Sequence, residues 1–131
     1  MTAHVVFSAI DPVAPATTSV TMVREVIRGF IGFQGLLISD DVSMGALSGT
    51  LAERSRAALA AGCDVVLHCN GDLAEMTAVA GVVPELSGAA ARRADAALRQ
   101  RSAPEDFDVE AARKIFAQMV DAEQSQRKTG S

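Results

Sequence analysis

The sequence contains no tryptophan or tyrosine, and aromatic residues make up only 4% of its 131 residues. So few rings offer a poor platform for stacking nucleobases, and a net charge of -4 provides no excess of basic residues for a phosphate backbone. Nucleic acid is therefore not expected as a partner. Long apolar runs are also missing, because none approaches the roughly 20 residues that span a bilayer. The N-terminus lacks the pattern of a secretory signal. These absences predict a soluble, cytoplasmic protein without a membrane partner.

Cysteine is scarce as well, with only Cys63 and Cys69 present, on either side of the strand-like segment DVVLH. Six residues of strand would separate them by about 20 Å, which is far beyond disulfide reach. Both are therefore predicted to be free thiols. The sequence contains no HExxH, paired CxxC, Walker loop or GxGxxG motif, so no metal and no cofactor is predicted.

What the sequence does contain is 49% hydrophobic residues, arranged in short apolar segments that alternate with helical patterns. The apolar segments lie at residues 4–7, 36–39 and 64–69, and each resembles a strand buried on both faces. The helical patterns cover residues 20–30, 50–62, the stretch from residue 72, residues 88–101 and a last amphipathic helix from residue 109. This βα rhythm predicts an α/β fold with about three parallel strands and flanking helices, as in part of a larger fold such as an eight-unit barrel.

In parallel α/β folds the chemistry gathers at the C-terminal ends of the strands. The polar residues at these ends are Asp11, Ser39, Asp40, Asp41, His68, Cys69 and Asn70. Successive strand residues point to opposite faces, so Asp40 and Asp41 are not expected to act together as nucleophile and acid, which in retaining glycosidases lie only about 5 to 5.5 Å apart across a substrate. Two interpretations of the acidic pair stay open at this point: one aspartate acts in catalysis, or it caps the turn that follows.

Further alternatives concern a phosphate site and the histidines. A Mg²⁺-dependent phospho-acceptor site also uses strand-end carboxylates, but it wants a nearby lysine, and the only lysines are Lys114 and Lys128 in the last helix and tail. His4 is either a core histidine with satisfied ring nitrogens or a residue that contacts substrate. The same alternatives apply to His68.

Four segments resemble the C-terminal half of the barrel of bacterial β-N-acetylhexosaminidases of glycoside hydrolase family 3. They are MTAHVVFSAIDP, PATTS, VIRGFIGFQGLLISDDVSMGAL and ALAAGCDVVLHCNGDLAEM, which together cover roughly residues 1–101. The resemblance implies the C-terminal portion of a (β/α)8 TIM-type barrel over residues 1–101, followed by a terminal amphipathic helix and polar tail over residues 102–131. It also implies a cytoplasmic enzyme that needs no cofactor and removes N-acetylglucosamine from cell-wall fragments during peptidoglycan recycling.

The resemblance assigns roles to three residues of this sequence. Asp40, directly after the serine of the SDD motif, corresponds to the nucleophile of a retaining mechanism. Asp41 would then point away and brace the turn. Met44 is expected to help wall the sugar pocket, and His4 is expected to contact the sugar.

One departure from the family pattern limits this assignment. The family's KHFPGHG-type segment, and the mobile loop whose histidine serves as acid/base, have no counterpart in this sequence. General acid catalysis contributes roughly 10² to 10⁴ in rate, so the isolated chain is expected to be inactive or nearly so. The alternative is an inactive half-barrel that pairs with itself, through exposed sheet edges, or with a separate N-terminal half.

Overall fold

The computed structural model describes the backbone of residues 1–129 and the side chains of residues 1–121. The chain forms two compact units, Met1–Arg101 and Ser102–Ser131. The described part of the first unit contains a π-helix, Thr21–Phe30, two strands and three α-helices. The strands are β1, Ile38–Asp41, and β2, Val65–Leu67, and the helices are α1, Leu51–Ala61, α2, Leu73–Ala80, and α3, Gly88–Arg99. The second unit contains α4, Val109–Thr129.

Strands β1 and β2 pair in parallel, with Ile38 opposite Val65 and Asp41 opposite Leu67. Three residue steps on β1 therefore face two on β2, which makes a bulge between the two register pairs. The hydroxyl of the fully buried Ser39 accepts the N–H of Leu67 at 2.9 Å. The Ser39 side chain thus satisfies the Leu67 N–H, a backbone donor that the bulged ladder does not pair. Ser39 directly precedes Asp40.

The strand predicted at residues 4–7 does not form, so the described residues hold two strands rather than about three. One backbone bond joins this segment to β1, from the Thr2 N–H to the Ile38 carbonyl at 2.9 Å. The carbonyls of Ala3 and Val5 instead accept the N–H groups of Thr17 and Ala16 at 3.2 and 2.9 Å. A ladder needs successive bonds to one partner strand, and here the bonds go to two different segments.

The other two predicted strands form, with different bounds. The predicted segment 36–39 starts two residues before the start of β1 and ends two residues before the end of β1. The predicted segment 64–69 extends beyond β2 at both ends. Apolar runs indicate burial, whereas strand bounds depend on which backbone groups find partners. Leu37, although it lies outside β1, is almost fully buried.

Helix α1 follows its sequence pattern closely. Thr50 and Glu53 form the predicted capping box, in which the Thr50 hydroxyl accepts the Glu53 N–H and the Glu53 carboxylate accepts the Thr50 N–H. Gly62 ends the helix at φ 122°, a conformation that favours glycine. The helix contributes Ala58 and Ala61 to one core cluster of the first unit, together with Val23, Leu37 and Cys63. A second cluster contains Val42, Leu47 and Val79.

The first predicted helix forms as a π-helix, in which the Ile31 N–H donates to the Val26 carbonyl, five residues back. Val23 is buried and Ile27 packs against the core, as the apolar spacing predicts. Val20 and Phe30, at the two ends of the predicted helix, are exposed although the spacing groups them with the core face, and Met22 is buried instead.

Helices α2 and α3 also begin or end close to the predicted positions. The Asp72 carboxylate accepts the Glu75 N–H at the start of α2. The Glu75 side chain does not complete a capping box, because its carboxylate binds His68 and Asn70 instead. Helix α3 ends at Arg99, two residues before the predicted bound.

The last predicted helix forms as α4 and continues to Thr129, so most of the segment expected to be a polar tail has a helical backbone. Glutamate, glutamine, arginine and lysine, which are abundant there, are good helix formers. Gly130 and Ser131 lie outside the described residues. Within the described residues, none of the helices combines the length and apolarity needed to cross a bilayer.

Candidate functional site

The candidate site lies where β1 and β2 end side by side. The Val42 N–H donates to the Leu67 carbonyl at 2.9 Å, which keeps the two strand ends together just beyond the last register pair. Parallel pairing therefore brings Asp40 and Asp41 to the same edge of the sheet as His68 and Cys69, as expected for strand-end residues of an α/β fold.

Asp40 carries a partly buried carboxylate with one oxygen engaged. Its Oδ1 accepts the N–H of Asp41 at 2.8 Å, and its backbone carbonyl accepts the Ser39 hydroxyl at 2.8 Å. Among the residues whose side chains are described, no donor binds Oδ2. The backbone of Asp40 is thus held on one side, while one carboxylate oxygen is left for another partner.

Asp41 is the more heavily bonded of the two acids. Its Oδ1 accepts the N–H groups of Ser43 at 2.9 Å and Cys69 at 3.3 Å, and its Oδ2 accepts the Ser43 hydroxyl at 2.6 Å. Burial by itself would raise the pKa of Asp41, but these donors, with a smaller contribution from His68, outweigh it and hold the pKa below its ordinary value. Asp41 therefore braces the turn after β1 and links it to the end of β2.

His4 joins the N-terminal segment to this edge. Its Nε2 lies 2.8 Å from the Asp41 carbonyl oxygen, and its Nδ1 lies 2.9 Å from the Thr17 hydroxyl. Both ring nitrogens are engaged within the chain. Contact of His4 with a sugar stays a prediction.

The turn after β1 is held from outside by a helix. Arg54 of α1 donates from Nη1 to the carbonyls of Val42 and Met44, both at 3.0 Å, and from Nε to the carbonyl of Gly49 at 2.9 Å. One guanidinium thus satisfies three turn carbonyls. Met44 is 44% exposed, which leaves it available as a wall of a pocket.

The end of β2 carries a second polar cluster. The His68 Nε2 lies 2.9 Å from a Glu75 carboxylate oxygen, which also accepts a hydrogen bond from the Asn70 amide. The Nδ1 of His68 is buried and has no partner among the described residues. The pKa of Glu75 lies below its ordinary value, with the Asn70 donor as the largest cause and His68 next. This cluster fixes the loop whose Cys69 N–H reaches Asp41.

The other sequence candidates have local roles. Within the part of the chain that the structure describes, Asp11 forms no hydrogen bond with Asp40 or Asp41; it accepts the Ser19 hydroxyl at 2.5 Å and the N–H groups of Val13 and Ala14. The Ser19 donor is the largest cause that lowers the pKa of Asp11. Cys63 and Cys69 are free thiols, as predicted.

Sequence analysis missed three residues of this region: Thr17, Arg54 and Ser43. Thr17 and Arg54 act across many residues of chain, and no short motif connects them to the strand end. Ser43 has a local signal that could have found it, because an aspartate followed two residues later by a serine is typical of a turn in which the carboxylate accepts that residue's N–H.

Cavities of about 490, 430 and 290 Å³ occur elsewhere in the first unit. The first is lined by Arg92 and Arg93 among others, the second by Cys63 and Val79, and the third by Ser48. Asp40 lines none of these three cavities. Within the described residues, no group of three or more histidine, cysteine, aspartate or glutamate side chains is arranged to hold a metal ion.

Comparison with known proteins gives matches that cover this region. Residues 1–101 match the model of the glycosyl hydrolase family 3 N terminal domain. The chain is 53% identical over 72 residues to the β-hexosaminidase of Alkalilimnicola ehrlichii and 44% identical over 79 residues to that of Nitrosospira multiformis. These matches cover 53% and 58% of this chain but only 20% and 22% of the relatives, so the matched segment spans about a fifth of their length.

Solved structures give the same picture. A β-N-acetylhexosaminidase from Beutenbergia cavernae matches with a TM-score of 0.60 and 35% identity, over 74% of this chain and 32% of that one. A glycoside hydrolase family 3 β-N-acetylglucosaminidase from a Paenibacillus species matches with a TM-score of 0.60 and 27% identity, over 83% of this chain and 24% of that one.

Proposed function

The chain belongs to glycosyl hydrolase family 3, and we propose that it supplies the nucleophile strand of a retaining β-N-acetylhexosaminidase, with Asp40 as the nucleophile. The membership confirms the resemblance drawn from GLLISDDVSMGAL and its neighbouring segments. The observation that carries the proposal is the geometry of Asp40, a strand-end carboxylate with one oxygen held by the Asp41 N–H and the other without a donor among the described side chains.

The proposed chemistry is attack by Asp40 on the anomeric carbon of a β-linked N-acetylglucosamine. The bond to the leaving oxygen breaks as a bond to the carboxylate forms, and water then opens the covalent intermediate with overall retention. The first step also needs a proton donor for the leaving group, and the second needs a base for the water. In the family one acid/base histidine performs both roles, and this chain has no counterpart for it.

The supporting argument for Asp40 over Asp41 is the number of donors on each carboxylate. Asp41 accepts three hydrogen bonds, which stabilise its charge and lower its nucleophilicity, and they orient both of its oxygens toward the turn and the β2 end. Asp40 accepts one. Met44, exposed in the following turn, is proposed to wall the sugar pocket, and peptidoglycan fragments in the cytoplasm are the proposed substrates.

A chimera tests the nucleophile. Residues 1–101 would replace the structurally matched segment of the Beutenbergia cavernae enzyme, and hydrolysis of p-nitrophenyl N-acetyl-β-glucosaminide would be followed. Asp40→Ala should lower kcat by several orders of magnitude, whereas Asp41→Asn should be active if it folds. Added azide should rescue Asp40→Ala and give the α-glycosyl azide, because azide attacks from the face that the carboxylate occupied. Unchanged turnover in Asp40→Ala would exclude the assignment.

The second candidate function is a non-catalytic half-barrel that pairs with a second copy of itself. Its specific support is an exposed apolar stretch near the N-terminus, where Val5, Val6, Phe7 and Ile10 are each about half exposed. Large contiguous apolar patches are rare on the surfaces of monomeric proteins. Sedimentation should then show a dimer for the original chain and a monomer for the Phe7→Asp variant. A well-folded monomer with a cooperative melt would contradict pairing, and binding to a separately supplied N-terminal half would identify the other proposed partner.

A further inference from the structure

His4 lies at the junction of three segments of the first unit. Its ring is partly buried between the Thr17 hydroxyl at 2.9 Å and the Asp41 carbonyl at 2.8 Å. The Thr17 hydroxyl in turn lies 3.0 Å from that of Thr2, and both threonines are buried. The contacts connect the first residues of the chain, the loop before the π-helix and the end of β1.

The chemistry of these partners fixes where the protons lie on a neutral ring. A carbonyl oxygen only accepts, so the Asp41 contact requires a proton on Nε2. Nδ1 is then an acceptor, and the Thr17 hydroxyl must donate to it. Because that hydroxyl has a single proton, Thr2 donates to Thr17. Among the described side chains no carboxylate forms an ion pair with His4.

The contact of His4 with Asp41 bears directly on Asp40. The Asp41 N–H holds Asp40 Oδ1 at 2.8 Å, while the Asp41 carbonyl lies 2.8 Å from His4 Nε2 and accepts the Met44 N–H at the longer distance of 3.2 Å. The two peptide planes on either side of the Asp41 Cα are therefore both tied. Loss of the His4 contact would leave the Asp41 carbonyl with the longer Met44 bond alone, and this would loosen the peptide whose N–H orients the Asp40 carboxylate.

We propose that His4 is a positioning residue: as a neutral ring with its proton on Nε2, it fixes the Asp41 carbonyl and thereby orients the carboxylate of Asp40. The consequence for the reaction rests on the proposed role of Asp40. The tautomer and the contact themselves do not, because they concern only residues of this chain.

The first test is the tautomer of His4 in the unmodified chain, from long-range ¹H–¹⁵N NMR correlations of the ring near neutral pH. A protonated Nε2 and an unprotonated Nδ1 are expected. A proton on Nδ1 alone, or on both nitrogens, would overturn the proposal. His68 is an internal comparison, because its Nε2 binds a carboxylate rather than a carbonyl.

The second test compares His4→Gln with His4→Asn. The amide of glutamine reaches the position of Nε2 and can donate to the Asp41 carbonyl, whereas that of asparagine reaches only the position of Nδ1. The Asp41 amide should exchange roughly fivefold faster in His4→Asn, as expected for loss of one ordinary hydrogen bond, and near the original rate in His4→Gln. The side-chain carboxyl ¹³C signal of Asp40 should shift only in His4→Asn.

A purely structural role for His4 would give a different result, because both variants would lose stability and neither would preserve the Asp40 signal. Equal behaviour of the two variants would therefore overturn the proposal. If neither variant folds, the tautomer still decides. An inactive chimera together with the expected tautomer would count against the proposed function and leave the His4 contact standing.

Discussion

Arg93 of helix α3 and Asp64, the residue before β2, form a 2.8 Å ion pair in which the Asp64 side chain is only 5% exposed. The other carboxylate oxygen accepts from Arg28 at 2.8 Å and from the Leu37 N–H at 2.9 Å. A buried carboxylate is costly unless it is paired and its lone pairs are used. Asp64 meets that condition with three donors from three different segments, and it ties α3 and the end of the π-helix to the sheet.

Asp64→Ala should therefore lower the free energy of unfolding by about 2–4 kcal/mol, because it removes the acceptor of Arg93 and of the Leu37 N–H and one of the three acceptors of Arg28. Arg93→Ala should cost less, since Arg93 is 27% exposed and water partly replaces its pairing. The adjacent Arg92→Ala is the matched control, because Arg92 is exposed, and it should change stability by less than about 0.5 kcal/mol. Urea unfolding measures all three. Equal effects of Arg92→Ala and Arg93→Ala would contradict this account.

The turn between β1 and α1 should depend on Arg54 in the same measurement. Arg54→Ala removes donors from three carbonyls and should cost about 1–2 kcal/mol, because those carbonyls are partly exposed and water replaces some of the bonds. Arg54→Lys should recover only part of this loss, since an ammonium cannot reproduce the fork of the guanidinium. The control is Arg56→Ala, exposed on the same helix. A loss at Arg56 as large as that at Arg54 would exclude a specific role for the turn contacts.

Acid should destabilise the first unit through carboxylates whose pKa is lowered in the folded state. For Asp41 burial raises the pKa, but the Ser43 and Cys69 donors outweigh it and lower it. A lowered folded pKa means that the stabilisation is fully present above the unfolded value of about 3.9 and is lost as the pH falls through the folded value. The unfolding midpoint should therefore change little from pH 7 to 5 and fall progressively below about pH 4.

Asp41→Asn should be less stable at pH 7 and should show a flatter decline below pH 4 than the original chain. Asp95→Asn, an exposed aspartate on α3, controls for the loss of one negative charge. Because Asp11, Glu53 and Glu75 also have lowered pKa values, part of the acid dependence should survive in Asp41→Asn. An unchanged slope in that variant would show that Asp41 is not among the groups responsible.

Sequence alone predicted those features whose causes are close together in the chain. Thr50 and Glu53 are three residues apart, so the capping box needs no knowledge of the fold. Family motifs likewise identified the segment around Asp40, because GLLISDDVSMGAL is contiguous. The contact between His4 and the Asp41 carbonyl joins residues 37 positions apart, and no local pattern encodes it.

The failure at residues 4–7 has the same physical origin. An apolar sequence indicates a preference for burial, but a strand also needs a neighbouring strand that offers a matching row of N–H and C=O groups. In the structure Val5, Val6 and Phe7 are about half exposed, and the Val5 carbonyl bonds to a loop. Hydrophobicity therefore predicted both the burial and the pairing of this segment incorrectly. The first helix is a partial case, because Val23 and Ile27 face the core as predicted whereas Val20 and Phe30 at its two ends are exposed.

Gly62 gives the last prediction, since it meets both conditions under which only glycine fits. Its φ is 122°, and a Cβ built there would lie 2.9 Å from Cγ1 of the buried Val23. Gly62→Ala should therefore destabilise the first unit by about 1–3 kcal/mol through backbone strain and displacement of a core side chain. Gly45→Ala is the control, because no atom lies within 4 Å of its Cβ position. The double variant Gly62→Ala with Val23→Ala separates the two causes. If the clash dominates, Gly62→Ala should lower the free energy of unfolding less in the Val23→Ala background than in the original chain. If backbone strain dominates, the two losses should be equal. Thermal or urea unfolding in which Gly62→Ala and Gly45→Ala behave alike would contradict the packing of α1 against the π-helix.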